Sequence, residues 1–250
     1  MWLLRIAICF VAAFGGLLLI VFFRFDEEGR RAAQTHANLK LIATAMHEYH
    51  AANGRLPPAL VLGADGKPAH SWCVLILPYV GQQDLYSRYD FNVPWNHESN
   101  KRLLREIPLC YTSIRNLSNG SFATSFVVLT GEKTFFPNSR SVNWKDAKDG
   151  LESTILIAEA ERSDILWTEP EDLNVDTVPP SASEISSFGL TSGNAIGPSV
   201  ALGDATVVTL RSDSPIKSIL SLSTISDDDE VAWESVRFRP TWVSHLRLWR

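Results

Sequence analysis

His47-Glu48-Tyr49-His50 sets two imidazoles one helical turn apart, a spacing at which side chains can share a metal ion. The order is not HExxH, because the second His arrives at i+3, so Glu48 is not framed as the base of a zinc peptidase. His36 lies earlier on a similar face, yet a metal needs three or four ligands and no third partner is nominated. The competing role for His47 and His50 is to hydrogen-bond loops packed over the end of their helix. Glu159 and Glu161 close an apolar run, and period-two alternation would put both carboxylates on one face of a strand. A glycosidase pair usually comes from different elements at a set separation; surface placement is the expectation for both residues. Asp65, Asp146, Asp149 and Asp204 stand in turns without the spacing of a calcium loop. No G-x-S-x-G elbow, phosphate loop or dinucleotide fingerprint occurs, and Gly120-Ser121 and Ser192-Gly193 read as loop punctuation. Neither catalysis nor a cofactor is expected.

Trp72, Trp95, Trp144 and Trp167 offer another kind of chemistry, an aromatic platform for a sugar or peptide, with Trp95 and Trp144 as its test positions. The opposing role is core filling, since a tryptophan hides about 150–250 Å² of mainly apolar surface. Cys73 and Cys110 can pair as a disulfide if this part of the chain is exported, or sit as two buried free thiols. Cys9 falls inside an apolar run.

The element that must position these residues is the first fifty positions, read as one helix in two solvents. Ile6 to Phe23 carries no charge, and about 18 such residues just span a hydrocarbon core. Beyond it Ala32, Thr35, Leu39, Ile42, Met46 and Tyr49 recur in steps of three and four, the mark of a helix with one buried face. Asn53-Gly54 supplies a left-handed cap and Pro57-Pro58 forbids continuation. Bulky Phe22-Phe23-Arg24-Phe25 lacks a small-x-small cleavage site, so the span reads as a retained anchor and not a signal peptide. Within it Ala12, Ala13, Gly15 and Gly16 allow close lateral approach of a neighbouring helix. Arg24, Arg30 and Arg31 follow the span and only Arg5 precedes it, an imbalance that by itself keeps the domain in the cytoplasm.

After Leu56–His70, a loop with an Asp65-Gly66 turn, the apolar segment Ser71–Tyr79 fits either a strand or two helical turns. Short helices are expected at 82–89 and 101–106, and strands at Ala123–Thr130, Ser153–Ala160 and Val200–Leu210, the last folded at Gly203-Asp204 as a two-residue type II′ hairpin. Ser181–Ser199 reads as a polar loop. Trp233, Phe238, Trp242 and Trp249 interleave with Arg237, Arg239, Arg247 and Arg250, a pattern that suits a membrane surface or docking on the chain's own domain. A hydrophobic content of 45% with 20% charged residues is that of a globular domain, and a formal net charge of −5 argues against a nucleic-acid partner.

The blocks from Arg30 to Pro58, Ser71 to Tyr79, Asp90 to Trp95, Leu109-Cys110, Asp149 to Glu159, Trp167 to Leu173 and Val200 to Val207, in this order, resemble a bacterial prepilin-like family, domain-of-unknown-function family 1559. The resemblance implies an α+β, pseudopilin-like fold: a long N-terminal helix, its first half in the membrane, packed on an antiparallel β-sheet with large loops. It also implies a protein without enzymatic activity. Members often carry a prepilin peptidase site, Gly before PheThrLeu-x-Glu; the chain has Leu4-Arg5-Ile6-Ala7-Ile8 there. The family's HisGly motif is replaced by Ser192-Gly193-Asn194, and its AlaAspGlySerVal turn by Gly203-Asp204-Ala205-Thr206-Val207. The expected organisation is an anchor over 1–25, a soluble domain over 26–230 with a spine helix at 27–52, and a basic-aromatic extension over 231–250. The expected role is that of a single-pass inner-membrane protein with a periplasmic domain. Its partners would be lipid and either its own copies or other envelope proteins. The alternative is a membrane-tethered glycan- or peptide-binding module.

Overall fold

The computed structural model describes residues 2–178, 182–193, 196–226 and 233–238, with side chains described from residue 27 onward except those of 233 and 234. A single helix, α1 (Trp2–Asn53), opens the fold. At about 1.5 Å per residue its length is about 78 Å. It stops where the sequence says it should, at Gly54, whose φ of 76° lets its N–H bond the His50 carbonyl at 2.7 Å. Among the described residues no helix is long and apolar enough to cross a membrane. The side chains of the apolar run Ile6–Phe23, with the association positions Ala12, Gly15 and Gly16, lie outside those described.

The segment read as a plain loop holds a hairpin, β1 (Leu60–Leu62) and β2 (Pro68–Ser71), closed by the Asp65-Gly66 turn. The Trp72–Tyr79 run is helical and not a strand. Ser71 caps α2 (Trp72–Leu75), a 3-10 turn follows at Leu77–Val80, and Gly81 ends it at φ 77°. Then come α3 (Gln83–Arg88), α4 (Glu98–Lys101) with a 3-10 turn at Arg102–Glu106, and α5 (Ile114–Ser118).

The remaining strands are β3 (Phe126–Val127), β4 (Leu129–Thr130), β5 (Ile155–Glu159), β6 (Leu173–Asn174), β7 (Ser199–Leu202) and β8 (Val207–Thr209). Four of them form the central antiparallel sheet in the order β3-β5-β7-β8, while β4 pairs in parallel with β6. The helix α1 lies across β5, β7 and β8, burying Leu39, Ile42 and Met46 completely. The opposite face is covered by α6 (Ile216–Ser223) and a 3-10 turn at Ile185–Phe188. Strand alternation sorts residues between the two cores: Phe126, Val128 and Ala201 face the helix, and Val127, Leu129, Val200 and Leu202 the other side. An irregularity between Ile155 and Ile157 puts Leu156 and Ile157 in succession on the helix side. With both faces covered, β5 is buried along its whole length.

The β7–β8 turn differs from the expected II′ form. Leu202 carbonyl accepts from Ala205 N at 2.8 Å and the left-handed residue is Ala205, at φ 63°, which makes a three-residue loop. Gly203 is required for a different reason: a Cβ there would stand 2.9 Å from the Leu151 carbonyl oxygen. The described part of the C-terminal extension is fastened to the sheet edge. In α7 (Trp233–Val236), Val236 is fully buried, and Phe238 N donates to the Thr209 carbonyl at 2.9 Å.

Candidate functional site

Polar residues on one face of α1 hold the β7–β8 hairpin in place. His36 Nε2 bonds Thr209 Oγ1 at 2.9 Å, Lys40 Nζ donates to the Ala205 carbonyl at 2.8 Å, and His47 Nε2 meets the Gly203 carbonyl at 2.8 Å. At 3.6 residues per turn, residues 36, 40 and 47 fall within an arc of about 40°, so one stripe serves all three bonds. His47 also stacks on Trp144, with centroids 4.4 Å apart, and His50 leans on the same ring at 5.5 Å. His47 thus bonds a loop, while His50 Nε2 is buried without a hydrogen-bond partner. Among the described residues no three side chains of metal-binding type converge.

The tryptophans separate. Trp72 and Trp167 are buried in the core, the indole of Trp72 donating to Asp172 Oδ1 and that of Trp167 to the Leu104 carbonyl. Trp144 is half-buried, its face covered by His47, with Phe135 edge-on at 5.5 Å. Trp95 is half-buried on another loop, its backbone amide donating to the Ala69 carbonyl at 2.8 Å. Cys73 and Cys110 are both free and buried; burial pushes the Cys73 thiol up and that of Cys110 up to about 12, so neither is a ready thiolate.

The concentration of chemistry lies instead at the C-terminal end of β5. Glu159 and Glu161 share one face, as alternation requires, but that face is interior: they are 3% and 5% exposed. This corrects the surface placement. Strand burial here depends on what crosses it, namely α1 on one side and the Ser192-Gly193 segment on the other, which the strand's own sequence does not reveal. Both carboxylates line a cavity of about 20 Å³ with Thr35 and Asn38 of α1, Arg115 and Ser192. Ser199 N donates to Glu159 Oε2 at 2.8 Å, Ser192 Oγ donates to Oε1 at 3.2 Å, and Thr35 reaches the same carboxylate. Burial first, and Glu161 alongside, push the Glu159 carboxyl up to about 7 against these bonds. A Cβ at Gly193 would come within 2.6 Å of Glu161 Oε1, so a side chain there would push the Glu161 carboxylate out of its place.

Glu161 is held less completely. Its Oε2 is buried and accepts no hydrogen bond; Arg115 Nη1 stands 3.8 Å away as an ion-pair partner. A bare buried acceptor costs about 1–3 kcal/mol. Asn116, at the first turn of α5, ties the main chain at this point, donating to the Glu161 carbonyl at 3.3 Å and to Ser125 Oγ at 3.1 Å.

The molecule is therefore of the α+β class, a sheet condensed on one helix, with an acidic crevice where helix and strand end meet. Residues 27–110 match the family described as "Protein of unknown function (DUF1559)", the one the sequence blocks resemble. The match runs from the second half of α1 to the residues after α4 and stops before the central four-stranded sheet. No curated protein and no solved structure matches the chain.

Proposed function

We propose that the protein is a membrane-anchored, non-enzymatic structural or interaction protein of the bacterial envelope, built on the pseudopilin plan with its domain on the extracytoplasmic side. The observation that carries this reading is the continuity of α1. One helix runs from the uncharged stretch Ile6–Phe23 to a seam, Leu39–Ile42–Met46, buried against the sheet. A domain condensed on such a stem cannot swivel on its anchor, as it would on a flexible linker. That rigidity suits lateral assembly of like subunits. Positions 15 and 33 are separated by five full turns at 3.6 residues per turn, so the small residue Gly15 repeats the azimuth of exposed Ala33.

The test is a pair of measurements on full-length protein. Changing Gly15 and Gly16 to leucine is expected to abolish intermolecular cross-linking in membranes while the domain stays folded. Protease added to spheroplasts is expected to digest the domain that intact cells protect. Unchanged cross-linking removes the assembly role, and protection in spheroplasts places the domain in the cytoplasm, as the arginine count alone would have it.

The second reading, a tethered binding module, draws its support from the Glu159–Glu161 crevice and not from the separated tryptophans Trp95 and Trp144. Replacing both tryptophans is therefore expected to leave any small-ligand binding intact.

A further inference from the structure

Glu161 Oε2 has three properties that together describe a missing partner. It is shut away from water, it accepts no hydrogen bond, and it faces a cavity. Arg115, itself half exposed, supplies charge at 3.8 Å but stands too far off to donate. Glu159, across the same space, has donors from Ser192, Ser199 and Thr35. The space needs positive charge and N–H donors in a volume of about 20 Å³, room for a group the size of one water.

We infer that this crevice binds a primary ammonium group, seated between Glu159 and Glu161, belonging to a free amino acid or to the amino terminus of a peptide. A guanidinium is too large for the space, and a quaternary ammonium has no N–H to offer Oε2. A divalent cation such as calcium takes about six to eight oxygens, and among the described residues no three metal-type side chains converge. The rest of the ligand has a way out. The crevice shares Arg31, Gln34 and Ile114 with a groove of about 580 Å³ between α1 and α5, also walled by Ala33 and Ala37. Arg31 at that shared mouth, with Arg30 beside it and loosely paired to the exposed Glu27 at 3.7 Å, is placed for the carboxylate or carbonyl that lies next to an α-amino group, which favours these ligands over a plain alkylamine. Gly193 keeps the Glu161 side free of a Cβ. The inference is independent of the anchoring proposal, since it uses only residues of the folded domain.

Protonation of Glu159 competes with an ammonium, and its carboxyl titrates at about 7, so binding strengthens from pH 6 to pH 8. The groups facing it are Thr35 and Arg31 from α1, Arg115 from α5, Glu161 from its own strand end, Ser192 and Ser199.

The experiment titrates full-length protein in detergent with glycine, glycylglycine, methylammonium and tetramethylammonium at matched ionic strength, following calorimetric heats. Glycine or glycylglycine is expected to bind, the tighter of the two naming the source. Methylammonium is expected to bind at least tenfold more weakly, and tetramethylammonium not at all. Affinity is expected to rise at least threefold from pH 6 to pH 8 and to fall at least tenfold in Glu161→Gln. No binding by glycine or glycylglycine, an equal response to tetramethylammonium, or undiminished affinity in folded Glu161→Gln overturns the inference. If Glu161→Gln does not fold, the comparison of the four amines on the unaltered protein decides alone.

Discussion

Glu159 carries a pH dependence whose sign is fixed by its surroundings. In the folded protein its carboxyl holds a proton up to about pH 7, whereas in the unfolded chain it releases it near the ordinary glutamate value of about 4.3. Between these values the folded state binds more protons, so stability is fully present below the lower one and is lost as pH rises through the upper one. The loss is at most about 4 kcal/mol at roughly 1.4 kcal/mol per unit. Denaturant unfolding at pH 5 and pH 8 is expected to show the decline, and Glu159→Gln is expected to flatten it and to be the more stable protein at pH 8. A second residue-scale prediction concerns Gly203. A methyl group there meets the Leu151 backbone, which cannot yield as a side chain can. Gly203→Ala is expected to cost about 1–3 kcal/mol, read as a drop in melting temperature; no drop would mean that the loop moves freely. That Glu159 and Glu161 share a face was legible from their spacing. That the face is interior was not, because the Ser192-Gly193 segment that covers it lies thirty residues further on. The departure from the family's HisGly motif falls at this same crevice, a signal available in the sequence but without a neighbour to give it meaning.

Among elements, α1 does the most to organise the fold, and its two sides predict opposite outcomes. Met46 is fully buried in the seam, whereas Leu41, on the other side of the helix, is 42% exposed. Met46→Ala is expected to destabilise by about 2–5 kcal/mol and Leu41→Lys to change stability by no more than about 0.5 kcal/mol, both measured by denaturant unfolding. Equal effects would mean that the helix does not dock by this face. The seam was legible because 3.6-residue periodicity is a local property of the sequence. The β1–β2 hairpin was hidden by Pro and Gly, which mark a turn but say nothing about pairing on either side of it. The eight-residue α6 was hidden by its serines, although Ile216, Ile219 and Leu222 carry its buried face. Asp172 illustrates a motif whose meaning is tertiary. Its Oδ1 accepts from both the Trp72 indole and Val128 N, joining segments that the sequence keeps far apart.

At the scale of the whole molecule, a sheet and its two cores are assembled on the far half of one rod, and the proposed role depends on that rod being stiff. Gly29 lies inside α1 with open space around it, and glycine in a helix interior costs about 0.5–1 kcal/mol relative to alanine, so this is the place where a hinge would form. The most direct test is a pulsed electron-resonance distance between spin labels at positions 20 and 44, in membranes, with Cys9, Cys73 and Cys110 replaced. An unbroken helix predicts a narrow distribution centred at about 36 Å, from 1.5 Å per residue. A broad distribution, or one centred below about 28 Å, would show that the stem hinges, and the anchored-scaffold reading would be wrong.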